Sequence, residues 1–175
     1  IHRKFDLTYS GIYNYELGIN FLSTFNPTLA NYKELPIHYG EIQRIISTDG
    51  DITVFNNNKV IQQLYGKSII MDLTGNENVG ISNEVLGDYR VLPYEFGISE
   101  NPESVAKYSN LVFFTDKNRC RILMKQGDQI EEVNGFGGRF YHEGIQILKN
   151  NHTFLGSYDE ANNEYVISLN LNQNI

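Results

Sequence analysis

The chain has 175 residues, 21 acidic against 14 basic for a net charge of −7, and is 41% hydrophobic and 13% aromatic. This length suits one domain, or a portion of one, able to bury about two thirds of its unfolded surface, and the apolar content supports a core and argues against disorder. An acidic chain in which no Lys/Arg cluster interleaves with aromatics is unsuited to nucleic acid, because phosphate binding needs concentrated positive charge.

A single cysteine excludes an internal disulfide and fits a reducing cytoplasm. No apolar run reaches the ~18–20 residues of a membrane helix, and no stretch reads as a signal peptide. Twelve Tyr and ten Phe without Trp, together with Asn at turn-like places, favour pleated strands over helices.

In chain order, residues 1–39 are the least patterned. Residues 5–9 alternate like a strand, and 12–17 and 20–25 read as two more. Asn26-Pro27-Thr28 marks a turn, since the residue before Pro is pushed out of the helical region. Residues 29–35 read as a short helical turn. Residues 41–73 then form a meander with strands at 42–46, 52–55, 60–65 and 68–71, separated by Thr48-Asp49-Gly50, Asn56-Asn57-Asn58 and Gly66-Lys67. Asp-Gly is a strong hairpin signal because both positions tolerate positive φ. Residues 74–100 read as a Gly/Asn-rich connection, and loops of that length usually carry function or an interface.

Residues 94–133 are the clearest stretch. Strands at 104–108, 111–115, 120–125 and 129–133 are separated by Ser109-Asn110, a polar 116–119 turn and Gly127-Asp128. Four strands in about 30 residues match one blade of a β-propeller. Residues 42–64 share strand and turn positions with 103–125, a weak internal repeat at a spacing of about sixty residues. Beyond 133, a glycine turn at 134–138 leads to strands at 145–149, 153–158 and 164–169. A blade needs a fourth strand, and residues 5–9 or chain beyond Ile175 are the candidates. Opening on Ile and stopping directly after a strand, the chain reads as a piece of something longer.

The expected fold is therefore all-β: antiparallel meanders resembling propeller blades, as an incomplete propeller or an irregular β-domain. Its expected parts are an N-terminal extension or closing strands (1–39), blade-like meanders at 40–73, 94–133 and 145–171, and the long connection at 74–100.

The run FGISENPESVAKYSNLVFFTDKNRCRIL resembles a segment of large virion structural proteins of tailed bacteriophages, including tail and muzzle proteins of crAss-like phages. There an "eyGIsxNPES" element precedes "yfTDxxRgxvLrLs" and a "G(L/I)xeis" strand. The matching residues are Gly97-Ile98-Ser99, Asn101, Pro102, Glu103, Ser104, Thr115, Asp116, Arg119, Leu123 and Ile130-Glu131-Glu132-Val133. Later, LGSYDEANNEYVISL, with Tyr158 and Asp159, resembles the family's "GxYDxxxxeYnvtl" hairpin. The resemblance spans roughly residues 40–171; Cys120 departs from it, standing where the family has a small residue such as Gly. It implies a structural part of a tail, muzzle or tail fibre, assembled in the bacterial host cytoplasm into the virion by contacts with copies of itself and other virion proteins. It also implies that Arg119 pairs with Glu103, because the NPES and TDxxR elements occur together.

Each candidate site has a plainer reading beside it. Asp116 and Asp159 suit turn-capping, in which the carboxylate accepts backbone N–H groups, better than catalysis or metal binding. Asp49-Gly50-Asp51 resembles half a calcium loop, but position 60 is Val60 where a bidentate Glu is needed. His2, His38, His142 and His152 lack zinc spacing. Gly135-Phe136-Gly137-Gly138 lacks the Lys-Ser/Thr of a phosphate loop, and Asn151-His152-Thr153 is a sequon with no use in a bacterial host.

Glu41, Glu95, Glu103 and Asp116 offer carboxylate pairs of the kind propeller glycosidases use, which any acidic chain supplies by chance. Tyr13, Tyr15, Tyr89, Tyr94 and Tyr141 suit sugar stacking or, better, a subunit interface. In the long connection, Val85, Leu86, Tyr89, Val91, Leu92 and Tyr94 are more apolar than a solvated loop needs, which points to an interface. The expectation is thus a non-enzymatic structural protein without cofactor or metal. A carbohydrate- or receptor-binding propeller module, with a host surface glycan as its partner, is the alternative, and a propeller glycosidase comes third.

Overall fold

The computed structural model describes residues 3–11, 13–25, 31–48, 50–72, 74–133 and 153–170. In chain order the strands are β1 (Asp6–Thr8), β2 (Tyr13–Asn14), β3 (Ile19–Asn20), β4 (Tyr32–Glu34), β5 (Ile42–Thr48), β6 (Asp51–Asn56), β7 (Val60–Met71) and β8 (Glu77–Val91). They continue with β9 (Ala106–Tyr108), β10 (Leu111–Asp116), β11 (Arg121–Gln126), β12 (Gln129–Glu132), β13 (Thr153–Asp159) and β14 (Glu164–Asn170). Two four-stranded antiparallel meanders, β5-β6-β7-β8 and β9-β10-β11-β12, form the body, with two-stranded ribbons β1-β4, β2-β3 and β13-β14 beside them. Among the described residues there is no α-helix and no closed sheet. The fold is all-β.

The inner strands β6 and β10 bury both faces, as near-continuous Val/Ile/Phe runs demand. From β6 and β7, Phe55 and Val60 point into a core shared with Val112, Phe114, Leu123 and Ile130 of the second meander. Phe55 and Phe114 meet edge to face, ring centroids 5.0 Å apart, an arrangement that suits their quadrupoles. Val54 and Ile61, their alternating neighbours, turn the other way and pack with Leu86 against Leu7 and Leu35 of the β1-β4 ribbon. On the far side of the second meander, Phe113 stacks on Tyr158 and Tyr165 of β13-β14. Val112, Phe113 and Phe114 are all buried. Ribbon, meander, meander and ribbon thus follow one another in a row.

β6 and β10 begin sixty residues apart, at Asp51 and Leu111, and occupy the same place in their meanders. The meanders therefore repeat at sixty residues, one position off the alignment of 42–64 with 103–125, a shift that would exchange the two faces of the strand.

Several boundaries differ from the sequence reading. Gly66-Lys67 is no turn: Gly66 adopts a left-handed φ of 62° and β7 runs through it to Met71. Residues 77–91, expected as connection, form β8, the fourth strand of the first meander. The hairpin turn lies instead at 72–76, where Asp72 Oδ1 accepts the N–H groups of Thr74 and Asn76. Within the expected helical turn at 29–35, Tyr32–Glu34 is the strand β4, and it pairs with β1. Residues 5–9 therefore do not complete the last sheet. Ser104 sits in a 3-10 turn, Pro102–Ser104, ahead of β9, and the second and third N-terminal strands shrink to β2 and β3. The expected turn at 134–138 and strand at 145–149 lie outside the described residues.

Candidate functional site

The segment between β8 and β9 carries the motif residues, and it is clamped from both sides. Ile98 N–H and Ser99 N–H donate to the carbonyls of Asn56 and Asn57 at the β6–β7 turn. A Cβ on Gly97 would lie 2.3 Å from the Asn57 carbonyl oxygen, so only glycine fits there. From the other side Asp116, at the end of β10 and fully buried, accepts four hydrogen bonds. Its Oδ2 takes Gly97 N–H at 3.0 Å and Arg119 Nη1 at 2.9 Å, and its Oδ1 takes Ser99 Oγ at 3.0 Å and Arg119 N–H at 3.1 Å. A carboxylate whose lone pairs are all engaged holds loops in place and is poorly placed for proton transfer.

Arg119 therefore pairs with Asp116 and not, as the motifs imply, with Glu103, which is exposed. The cause is the turn itself: Cys120, at φ 56°, donates its N–H to the Lys117 carbonyl and curls Arg119 back over the strand end. At such a left-handed position glycine would carry no steric cost.

Asn101 and Ser104 knit the same segment to the last ribbon. Asn101 Nδ2 donates to Thr115 Oγ1 and to the Phe154 carbonyl, and its Oδ1 accepts Phe154 N–H at 3.0 Å. Ser104 Oγ donates to the Asn101 carbonyl and accepts Thr115 N–H, while Tyr165 donates its hydroxyl to the Ser104 carbonyl. Burial pushes the Tyr165 phenol well above its ordinary value. Tyr158 stacks on Tyr108 at 4.4 Å and on Phe113 at 5.3 Å. Pro102 opens the 3-10 turn, and its carbonyl accepts Arg44 Nη1 from the first meander.

Asp159 caps its own turn, accepting Ala161 and Asn162 N–H groups. The Asn162 side chain, then these amides, hold its carboxyl below the usual range.

The carboxylates offered as a glycosidase pair are dispersed among separate partners. Glu41 pairs with Lys4 and Glu95 with Lys59, whose ammonium holds the Glu95 carboxyl low. Asp51 pairs with Lys67 at 2.9 Å, and His38 meets Tyr39 edge to face. Among the described residues no three His, Cys, Asp or Glu side chains converge on a metal position. Asp49, His2, His142, His152, Tyr141, Asn151 and residues 135–138 lie outside the described residues.

The expected interface residues are largely taken up inside the chain. Leu86 belongs to the core under the N-terminal ribbon and Leu92 to the core between the meanders, with Tyr89 and Tyr94 packed against them. Val85 and Val91 are half-buried on β8. Their apolar character serves the inner half of β8, where the strand packs on the two cores. The wet apolar surface lies elsewhere. In and around the β2-β3 ribbon Tyr15 is 88% exposed and Tyr13, Leu17, Phe21, Leu22 and Phe25 are exposed too; near the tip of the β7-β8 hairpin Ile81 is 96% exposed, with Ile70, Met71 and Val79 also exposed. Ser99, Thr115 and Tyr165 complete the buried network; each could be sought as a small or hydroxyl-bearing residue at the end or on the inner face of a strand. No protein-family model matches the chain, and no curated protein matches it significantly.

Proposed function

We propose that this chain is a structural domain of a tailed-phage virion protein, from a tail, muzzle or fibre, acting through contacts with copies of itself and other virion proteins and not as an enzyme. The observation that carries the reading is the concentration of exposed large hydrophobic side chains on two ribbons, residues 13–25 and 65–81. A monomer rarely leaves such surface wet, and protein contacts cover it. The motif residues shared with the phage proteins support it too. Asn101, Ser104, Asp116 and Arg119 serve to bind sheet to sheet, the task a scaffold sets, and assembly in a bacterial cytoplasm asks nothing more of them.

We read the successive meanders as propeller blades in an open arc. Each meander runs through consecutive strands, neighbours share a core, and a buried polar residue, Asn56 or Asp116, ends the second strand of each.

A second reading rests on Tyr13 and Tyr15, whose rings meet edge to face at 4.6 Å on an exposed ribbon and are suited to stacking on a sugar. Mass spectrometry of purified particles decides between them. Stoichiometric recovery of the chain supports the scaffold. Its absence from particles, with retention on a host-polysaccharide column, gives the receptor-binding module. Glycoside turnover lost in Glu95→Gln or Glu103→Gln gives an enzyme.

A further inference from the structure

The outer half of the β7-β8 hairpin is folded back on the body. Residues 82–85 have no partner across from them while Lys67 pairs with Ile81 and Tyr65 with Leu86, so several residues of β8 bulge opposite Gly66 alone. The backbones cross closely there: a Cβ on Gly87 would fall 1.7 Å from the Lys67 carbonyl oxygen, and Ile69 N–H reaches Asp88 Oδ2 at 2.8 Å. Beyond the crossing, the ribbon of residues 67–71 and 77–81 returns along β8 until Glu77 Oε2 lies 3.4 Å from Arg90 Nε. Those two residues are thirteen positions apart in one strand, a span of roughly 43 Å were it straight. Arg90 also reaches Asp128 Oδ2 at 3.1 Å, in the β11–β12 turn of the second meander. One guanidinium thus ties the end of the ribbon to two parts of the body.

We propose that residues 67–81 form a hinged arm, pivoting at Gly66 and Gly87, and that Arg90 is its latch. The side chains of Arg90, Glu77 and Asp128 are 31%, 45% and 52% exposed. Ion pairs so placed are weak and screened by salt, whereas the pivot is held by buried backbone contact. Opening therefore breaks the latch and leaves the ribbon's own ladder intact. It swings Ile70, Met71, Val79 and Ile81 out from the body and extends their reach. This holds whether or not the chain belongs to a particle, because it rests on the arm's geometry alone.

The test is a distance between spin labels at Asn78→Cys on the arm and Glu131→Cys on β12, in the whole chain carrying Cys120→Gly. In salt of about 10 mM the unaltered latch gives one short distance. Arg90→Ala adds a population longer by more than about 10 Å, since a five-residue ribbon is about 16 Å long, and Arg90→Lys, with one ammonium for two carboxylates, falls between. Salt of about 1 M drives the unaltered latch the same way. Should Arg90→Ala fail to fold, Glu77→Gln, which removes the arm's own half of the latch at an exposed position, reads out the same shift. Unchanged distances in the variants and in high salt overturn the proposal. So does a long population that already dominates with the latch intact at low salt.

Discussion

The side-chain amide of Asn101 holds both polar groups of the Phe154 backbone, accepting its N–H at 3.0 Å and donating to its carbonyl at 3.3 Å. One side chain thus stands in for a strand neighbour and docks β13, from a part of the chain 53 residues on, against the second meander. Asn is the residue for this, since its amide carries a donor and an acceptor side by side.

Asn101→Ala leaves the buried N–H and carbonyl of Phe154 unpaired, together with part of the bonding of Thr115. A loss of about 2–4 kcal/mol in urea unfolding is expected. A loss below about 0.5 kcal/mol would mean that water replaces the amide and that the ribbon docks by packing alone.

Gly156 faces the same seam. A Cβ there would lie 2.1 Å from the Ser104 carbonyl oxygen and 2.6 Å from the Tyr165 hydroxyl. Neither backbone nor hydrogen-bonded phenol yields cheaply, so Gly156→Ala is expected to cost about 1–3 kcal/mol through overpacking. It should also disturb the stacking of Tyr158 and Tyr165 on Phe113, visible in near-UV circular dichroism. Gly127→Ala is the control. Its added Cβ meets nothing, its cost comes only from a φ of 57°, and the aromatic signal should not change.

Tyr165 makes the seam sensitive to alkali. In the unfolded chain its phenol ionises near its ordinary value of 10.0, and burial raises that value in the fold. Below pH 10.0 both states keep the proton and the contribution is whole. Above it the unfolded chain releases the proton while the folded one retains it, so stability falls as pH rises. Urea midpoints measured upward from pH 9 should decline less steeply in Tyr165→Phe than in the parent protein. Parallel declines would place the ionising group elsewhere.

The meander at 94–133 was legible because its turns are spelled in Asp, Asn and Gly and its strands in Val, Ile and Phe, so each local preference agreed with the fold. Residues 77–91 were not. ENVGISNEVLGDYRV is rich in Gly, Asn and charge, which ordinarily marks a loop. Its strand is fixed by pairing with β7, a tertiary effect that local preference does not register. Gly66 misled in the same way, since a glycine at positive φ serves a bulge as readily as a hairpin turn.

In the site, the roles of Asp116 and Asp159 could be read from their place before a turn. The partner of Arg119 could not, because it depends on the backbone of Cys120. The Asn101–Phe154 bond was equally hidden, joining segments that no spacing relates. Of the exposed β2-β3 ribbon, the sequence marks only Tyr13 and Tyr15 as surface candidates. Its exposure follows from what fails to pack on it, and a sequence does not display that.

As the proposed contact surfaces, residues 13–25 and 65–81 should be covered by protein when the chain does its work. Hydroxyl-radical labelling of Tyr15, Phe21, Leu22, Met71 and Ile81, compared between the isolated chain and purified particles containing it, tests this directly. Strong labelling of the isolated chain and at least a severalfold drop in the particle are expected, with Tyr158 and Phe113 little labelled in both. Equal labelling of the two ribbons in particle and isolated chain would contradict it.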